Sequence, residues 1–479
     1  MGSEMCIRDR ILVKEGREEL ESRYKRPGLW REPSIVYIGP AGENKSRLAI
    51  VAAKWAHAAG YGGYGAVMGS KKLKAVVVKG TGPLPEVDDM EETMNVVDEI
   101  LKINFKKTAF RRWGTGYLGY DVGASTSSEP VRNWQEEWHD EKSFGADQFE
   151  RVWVKPYWGD FGCPTTCLKV AVIKSGPFKG AITDNPDYEN QAYLGTNLGI
   201  FTPEGNVYMT SLIDDLGLCG IQTGNVLGFA GELYQRGILT KDDLDGLDLT
   251  WGNVEAFASL ARMIAERRGI GDVLAEGTYR AALKISEIKG VDVLKYAVQF
   301  KGMEVGAHGI RSGLDYTGRW PMCYACSTQP GDHTSVAFPE NVEGTSLPDS
   351  LVYCTISYRA GQDLLYEFYK AITGWELTPD LWAKELGRRI IQIQRAVLLL
   401  GGPDFTWDPL KDDDNPPRWY EPLPSGPKKG SAPSREECLK MRSEFYKLMG
   451  WDEKGIPTSE ELKRLGLDNV DKVLEKVRK

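Results

Sequence analysis

The spacing of apolar and polar positions gives the chain two textures. From residue 34 to residue 80, short apolar runs are punctuated by glycine. There "SIVYIG" reads as a strand and "LKAVVVKG" as a buried strand. Between them "PAGENKSRLAIVAAKWAHAAG" opens on Pro40 and Gly42 and reads as a helix stopping at Gly60, followed by a glycine-rich turn, "YGGYGAVMGSKK". From residue 90 onward the apolar positions recur instead at the helical period, with one face for burial. "MEETMNVVDEILKINF", "NVLGFAGELYQRG", "NVEAFASLARMIAERRG", "GDVLAEGTYRAALKISEIKG" and "LWAKELGRRIIQIQRAVLLLGG" all carry it. Near residue 300 the texture turns loop-rich. The Pro- and Asp-rich stretch 403–434 is too long for a simple linker and is expected to lie over the surface.

A chain of 479 residues exceeds what one compact core supports, so two or three domains are expected. The textures place them at 1–80 (a partial α/β domain), 84–300 (helical) and 301–479 (helical and loop-rich), with "GTGPLPEVDD" as the first linker. The class is α+β. The first ten residues fit the rest poorly, and the sheet that "SIVYIG" begins would need further strands, so the N-terminal domain reads as truncated. No run of eighteen apolar residues exists to span a membrane, and the start has no apolar signal core, which points to a soluble cytoplasmic protein. Lys and Arg total 60 against 68 Asp and Glu, a net charge of −8, and no basic cluster reaches the scale that nucleic acid requires.

Chemistry enters with the eight cysteines. Without an export signal a disulfide framework is not expected, and close pairs point to metal or redox chemistry. Cys163 and Cys167 form one pair in "WGDFGCPTTCLKV", with Asp160 three residues ahead, where an iron–sulfur loop of three cysteines would start. Cys323 and Cys326 form another; with His333 they approach a zinc set but lack a fourth ligand. Cys219 and Cys354 each close an Asp-x-x-x-x-Cys, from Asp214 in "DDLGLC" and Asp349 in "DSLVYC". A carboxylate there can accept the paired N–H donors of an aminopyrimidine edge, the alternative being an ordinary helix end at Gly217. Among four histidines, His333 follows a Pro-Gly turn on a loop and suits acid–base work, with His308 a weaker case of the same kind. His57 is expected within a helix and His139 at the surface. Glu189 precedes an apolar segment and is expected to be partly buried with a raised pKa.

In order along the chain, "IGPAGEN", "GGYGAVMGSKKLKAVVVKG", "GCPTTC", "YENQAYLGTNLGI", "DDLGLC", "GIGDVLAEG", "KGMEV" and "GDH" resemble the tungsten-containing aldehyde ferredoxin oxidoreductases. The resemblance covers nearly everything after residue 34. It implies a remnant of a pterin-binding β domain followed by two mainly α-helical domains. It also implies a tungsten (or molybdenum) bis-pterin and a [4Fe–4S] cluster, with aldehydes oxidised to carboxylic acids and electrons passed to ferredoxin or a similar carrier. Carried over by position, Cys163, Cys167 and Cys354 are cluster ligands, with Asp160 in place of the family's first cysteine. Ala41, Asp214, Cys219, Asp349 and Tyr353 are pterin contacts, and Glu189 and His333 are the acid–base pair. Small aldehydes are the implied substrates, and a homodimer or a complex with electron-transfer subunits the implied assembly. A tungsten subunit of a benzoyl-CoA-type ring reductase is the alternative; a non-catalytic, zinc-stabilised interaction protein is a second.

Overall fold

The computed structural model describes Glu18 and residues 33–53, 57–80, 83, 85–118, 123–159, 163–184, 187–313, 318–358, 362–402 and 404–479. Near the N-terminus lies a four-stranded antiparallel sheet of β1 (Ser34–Tyr37), β2 (Val51–Ala53), β3 (His57–Ala59) and β4 (Ala75–Val78), in the order β3-β2-β1-β4. Val36 of β1 pairs with Ala53 on one side and Val76 on the other.

The helix expected from Pro40 to Gly60 is not there. Only Pro40–Glu43 makes a helical turn (α1), and the apolar run after it is extended. The cause is tertiary. Ile50 N–H donates to the Gly217 carbonyl at 3.0 Å, and Cys219 N–H to the Leu48 carbonyl at 2.8 Å, so "DDLGLC" holds this segment as a strand would. His57, expected mid-helix, therefore lies in β3 and stacks on Trp158 with ring centroids 5.9 Å apart. Conversely, the expected glycine turn is α2 (Tyr64–Ser70), entered through Gly62 and Gly63 at φ +78° and +71°, a left-handed backbone that glycine takes without strain. Strand β4 is not buried; Val78 is 59% exposed.

The helical half follows its periodicity closely. Helix α3 (Met90–Phe105) is capped by Asp89, whose carboxylate accepts from Glu92 N–H at 2.9 Å. Helix α4 (Thr108–Trp113) then leads towards a three-stranded antiparallel sheet of β5 (Trp153–Trp158), β6 (Leu168–Val172) and β7 (Ile182–Asp184). Beyond it come α5 (Tyr188–Tyr193) and then α6 (Pro203–Leu216), α7 (Gly220–Gln235), α8 (Val254–Glu266) and α9 (Thr278–Lys289), the last four building the largest core. Phe257, Leu260, Ala261 and Ile264 form the fully buried stripe of α8, and Ala41, Leu48 and Ala49 join the same cluster. "GDVLAEGTYRAALKISEIKG" breaks at Gly277, φ +86°, into a short helix, Ile270–Leu274, and α9.

A second core is aromatic, with Tyr188 and Tyr193 meeting Tyr324, Trp419, Phe445 and Trp451. Its presence corrects the reading of 403–434 as a surface strap. Asp413 and Trp419 are fully buried there, and Asp413 joins Lys301 Nζ at 2.8 Å and Arg395 at 2.7 Å in an interior ion network. His139 is likewise buried, its Nε2 3.1 Å from Glu129, not on the surface.

Candidate active site

Two segments nearly two hundred residues apart bring three thiols together. The β5–β6 connection carries Cys163 and Cys167, with Cys167 bridged to Trp158 in the sheet; Cys354 follows the turn after Asp349. Burial, then the neighbouring Cys354 and Cys163, push the Cys167 thiol up to about 11, with Lys169 opposing. Tyr353 feels the same two thiols; burial first, then Cys354 and Cys163, raise its hydroxyl. Asp160 lies outside the described residues. Among the described residues no three His, Cys, Asp or Glu side chains are set to hold a single metal ion. In donor type, the thiols of Cys163, Cys167 and Cys354 fit the thiolate ligands that an iron–sulfur cluster takes.

Around Asp214 the chain approaches itself at glycine. Gly217 closes α6 at φ +70°, and a Cβ on it would meet Gly39 Cα at 2.7 Å, so the turn of "DDLGLC" lies directly on the loop before α1. Asp214 Oδ2 accepts from Thr183 Oγ1 at 2.8 Å; burial pushes its carboxyl up to about 7 against that bond. Asp184, which sequence reasoning did not single out, is raised too, by burial and then by Asp214 and Asp187. Two crowded carboxyls fit the donor-rich edge of a pterin. Cys219 is buried beneath Gly60, where a Cβ would sit 3.5 Å from its sulfur. Asp349 is raised by burial and then by Asp332, with Gln329 hydrogen-bonded to it. Ala41 has no exposed surface and packs in the helical core, in the turn that follows Gly39.

Glu189 sits at the centre of a cluster of titratable side chains. It lies on α5, capped by Asp187, in a wall of buried tyrosines. Its Oε2 accepts from Ala307 N–H at 2.8 Å, while Oε1 lies 3.4 Å from His308 Nε2 and 3.5 Å from His333 Nε2. Burial pushes its carboxyl up to about 8; the Ala307 bond and the Arg319 charge oppose this, and Asp187 and Asp332 add to it. The three side chains keep a partly open face, 8% exposed for Glu189, 17% for His308 and 24% for His333. His308, the weaker of the two histidines in sequence, is as close as His333. Its ring packs 4.4 Å from Tyr188, and its carbonyl accepts from Tyr324 OH at 3.2 Å.

Arg319 was also missed. Burial opposes its charge, but Tyr324, Cys323, Tyr188 and Glu189 outweigh burial and hold the guanidinium charged beside the Glu189 cluster. A lone Arg in "GRW" carries no signal that a sequence pattern could catch. Cys323 and Cys326 are both buried free thiols in different electrostatic surroundings. The Cys323 thiol is pushed to about 12 by burial with Arg319 opposing, whereas Cys326 is raised by burial and then Asp413, on the side of the interior ion network.

The chain matches the family model "Aldehyde ferredoxin oxidoreductase, N-terminal domain" over residues 11–80 and "Aldehyde ferredoxin oxidoreductase, domains 2 & 3" over 92–467. The chain belongs to the aldehyde ferredoxin oxidoreductase family. It is 55% identical to the "Aliphatic sulfonate oxidoreductase, WOR-like subunit" of Pyrococcus furiosus over 98% of this chain and 76% of that protein. It is 33% identical to the "Tungsten-containing aldehyde ferredoxin oxidoreductase" of Pyrococcus horikoshii over 91% of this chain and 73% of that one. Among solved structures, the "Active site complex BamBC of Benzoyl Coenzyme A reductase in complex with 1,5 Dienoyl-CoA" superposes with a TM-score of 0.71 over 97% of this chain and 77% of that chain. Its identity of 21% makes this a likeness of fold. The family is one of oxidoreductases, and the names of several curated relatives include tungsten. No helix among the described residues is long and apolar enough to cross a membrane.

Proposed function

We propose that the protein oxidises small aldehydes to carboxylic acids at a tungsten–bispterin centre and passes the electrons through an iron–sulfur cluster to a one-electron carrier. The balance is aldehyde plus water giving carboxylic acid, two protons and two electrons. When bound, the metal and its pterins supply the two-electron redox chemistry. In this reading Asp214, Asp349, Cys219 and Tyr353 line the pterins, Cys163, Cys167 and Cys354 hold the cluster, and Asp160 is offered as its fourth ligand. Glu189 receives and returns the proton of the attacking oxygen, a task suited to a carboxyl near pH 8. His308 and His333 flank the same oxygen of that carboxyl, so either can pass the proton towards solvent. The observation that carries the reading is this Glu189–His308–His333 junction in a chain of this family.

A second reading concerns the substrate. Arg319 puts a permanent positive charge beside Glu189. A guanidinium fork grips an oxyanion through two parallel bonds. A substrate with a terminal sulfonate, the class named for the Pyrococcus furiosus relative, suits that charge. Protein purified without oxygen is assayed for tungsten, iron and aldehyde-dependent viologen reduction. Iron and tungsten with turnover uphold the reading; a metal-free protein without turnover under the same conditions removes it. Cys167→Ser is expected to lower bound iron while leaving the fold's melting behaviour largely intact.

A further inference from the structure

Lys169 is a cation buried without an acid. It stands on β6 two residues past Cys167 and exposes none of its surface. Other buried cations are paired: Lys301 and Arg395 meet Asp413, Arg311 meets Glu137, and Arg418 meets Glu232. Among the described residues no carboxylate reaches Lys169. Its donors go instead to the carbonyls of Arg111 at 2.9 Å, Thr166 at 3.0 Å and Leu168 at 3.2 Å. Three accepting oxygens call for three N–H donors, which only the charged ammonium has. Neutral carbonyls replace the water around such a charge but do not cancel it, and an uncancelled buried charge is costly.

The cysteine loop is shaped around this ammonium. Thr166 and Leu168 flank Cys167, and Thr166 sits at φ +47°, a left-handed backbone that β-branched residues avoid. Arg111 belongs to α4, which ends at Gly114, φ +65°, where a Cβ would meet the Cys167 carbonyl at 2.4 Å. The rings of Trp153 and Tyr157 lie 5.8 Å and 5.5 Å from the Lys169 nitrogen, adding partial negative charge but no counter-ion. At the Cys167 thiol, Lys169 opposes the effect of Cys354 and Cys163. The missing counter-charge of Lys169 therefore lies on the side of the three cysteines.

We propose that Lys169 is the counter-cation of a thiolate-bound iron–sulfur cluster and sets how readily that cluster takes an electron. The inference rests on the cluster assignment made under the proposed function. An iron–sulfur cluster held by thiolates is net negative, and gains one further negative charge with each electron it accepts. A cation fixed beside one of its ligands favours the reduced form more than the oxidised form, and so raises the potential. Acting through Cys167 and not as a ligand, Lys169 is a positioning residue. Its carbonyl bonds hold the loop, and its charge sets the electron equilibrium.

The test is a redox titration of the full chain purified without oxygen, followed by the electron spin resonance of the reduced cluster, with iron content and melting curves alongside. Lys169→Met is expected to shift the one-electron equilibrium towards the oxidised form about tenfold, a fall of about 59 mV. Lys169→Arg keeps the charge and is expected to stay within about twofold of the parent. Lys174→Met removes an exposed lysine from the same segment, where water screens the charge, and is expected to do the same. Lys169→Gln keeps N–H donors for the carbonyls without the charge, and gives the same reading as Met should the Met variant not fold. A Lys169→Met protein that melts lower but keeps the parent's potential makes Lys169 a backbone clamp alone, which overturns the proposal. Equal falls for Lys169→Met and Lys169→Arg, or for Lys174→Met, also overturn it. A parent protein without iron removes the cluster assignment and this role together. A loaded cluster whose potential ignores Lys169 overturns the role and leaves the assignment standing.

Discussion

Replacing Glu189 by Gln removes a titrating proton and little else. The amide keeps the side chain's length and an oxygen that can accept from Ala307 N–H, the 2.8 Å bond that orients the group. Raising the carboxyl from its ordinary 4.5 to about 8 corresponds to about 5 kcal/mol. The sign follows from proton binding. Between pH 4.5 and about 8 the folded protein keeps a proton that the unfolded chain has already lost, so stability falls as pH rises across that window. The contribution is intact below pH 4.5 and gone once pH passes about 8. An amide, which does not titrate, has no such dependence. The Glu189→Gln variant is therefore expected to match the parent in melting temperature near pH 4.5 and to exceed it near pH 8. For a chain of this size unfolding as one unit, about 1 °C of shift per kcal/mol makes that gap about 5 °C. Turnover is expected to drop about 10²- to 10⁴-fold at every pH. Parallel melting curves from pH 4.5 to about 8 would refute the burial argument, and unchanged turnover would remove Glu189 from the chemistry.

Asp413→Asn leaves Lys301 and Arg395 buried without their counter-charge, and a loss of about 3–5 kcal/mol is expected in denaturant unfolding; a loss below about 1 kcal/mol contradicts the network. Gly217→Ala forces a Cβ to within 2.7 Å of Gly39 at a left-handed backbone position, so reduced melting temperature and reduced pterin content are expected together. Arg319→Gln is expected to raise KM about tenfold or more for an aldehyde bearing a terminal sulfonate and to leave KM for a neutral aldehyde of the same length nearly unchanged; equal effects on both remove the anion-binding role. Below the ordinary carboxylate range, Asp413 alone among these groups keeps its charge, held low by Arg395 and Lys301 despite burial. The stability gap between parent and Asp413→Asn is therefore expected to be full above the ordinary carboxylate range, about pH 4, and to narrow as pH falls below it.

Local periodicity alone settled the helical body. The stripe Phe257, Leu260, Ala261 and Ile264 is spaced so that only a helix buries it on one side, and Asp89 marks a helix start by its own carboxylate. The order of short motifs likewise named the family and brought Cys163, Cys167, Glu189, Asp214, His333 and Cys354 forward. What the chain did not disclose was decided by partners far away in sequence. "LAIVAA" suits a helix or a strand, and it is extended because Gly217 and Cys219 offer it hydrogen bonds. Trp419 and Asp413 are buried in a stretch whose composition reads as surface, because buried cations and aromatic rings from other segments await them. The same holds for the site. Arg319 lies in unremarkable sequence and His308 reads as the weaker histidine; only folding brings both to the Glu189 carboxyl, since such distances are not encoded in local pattern.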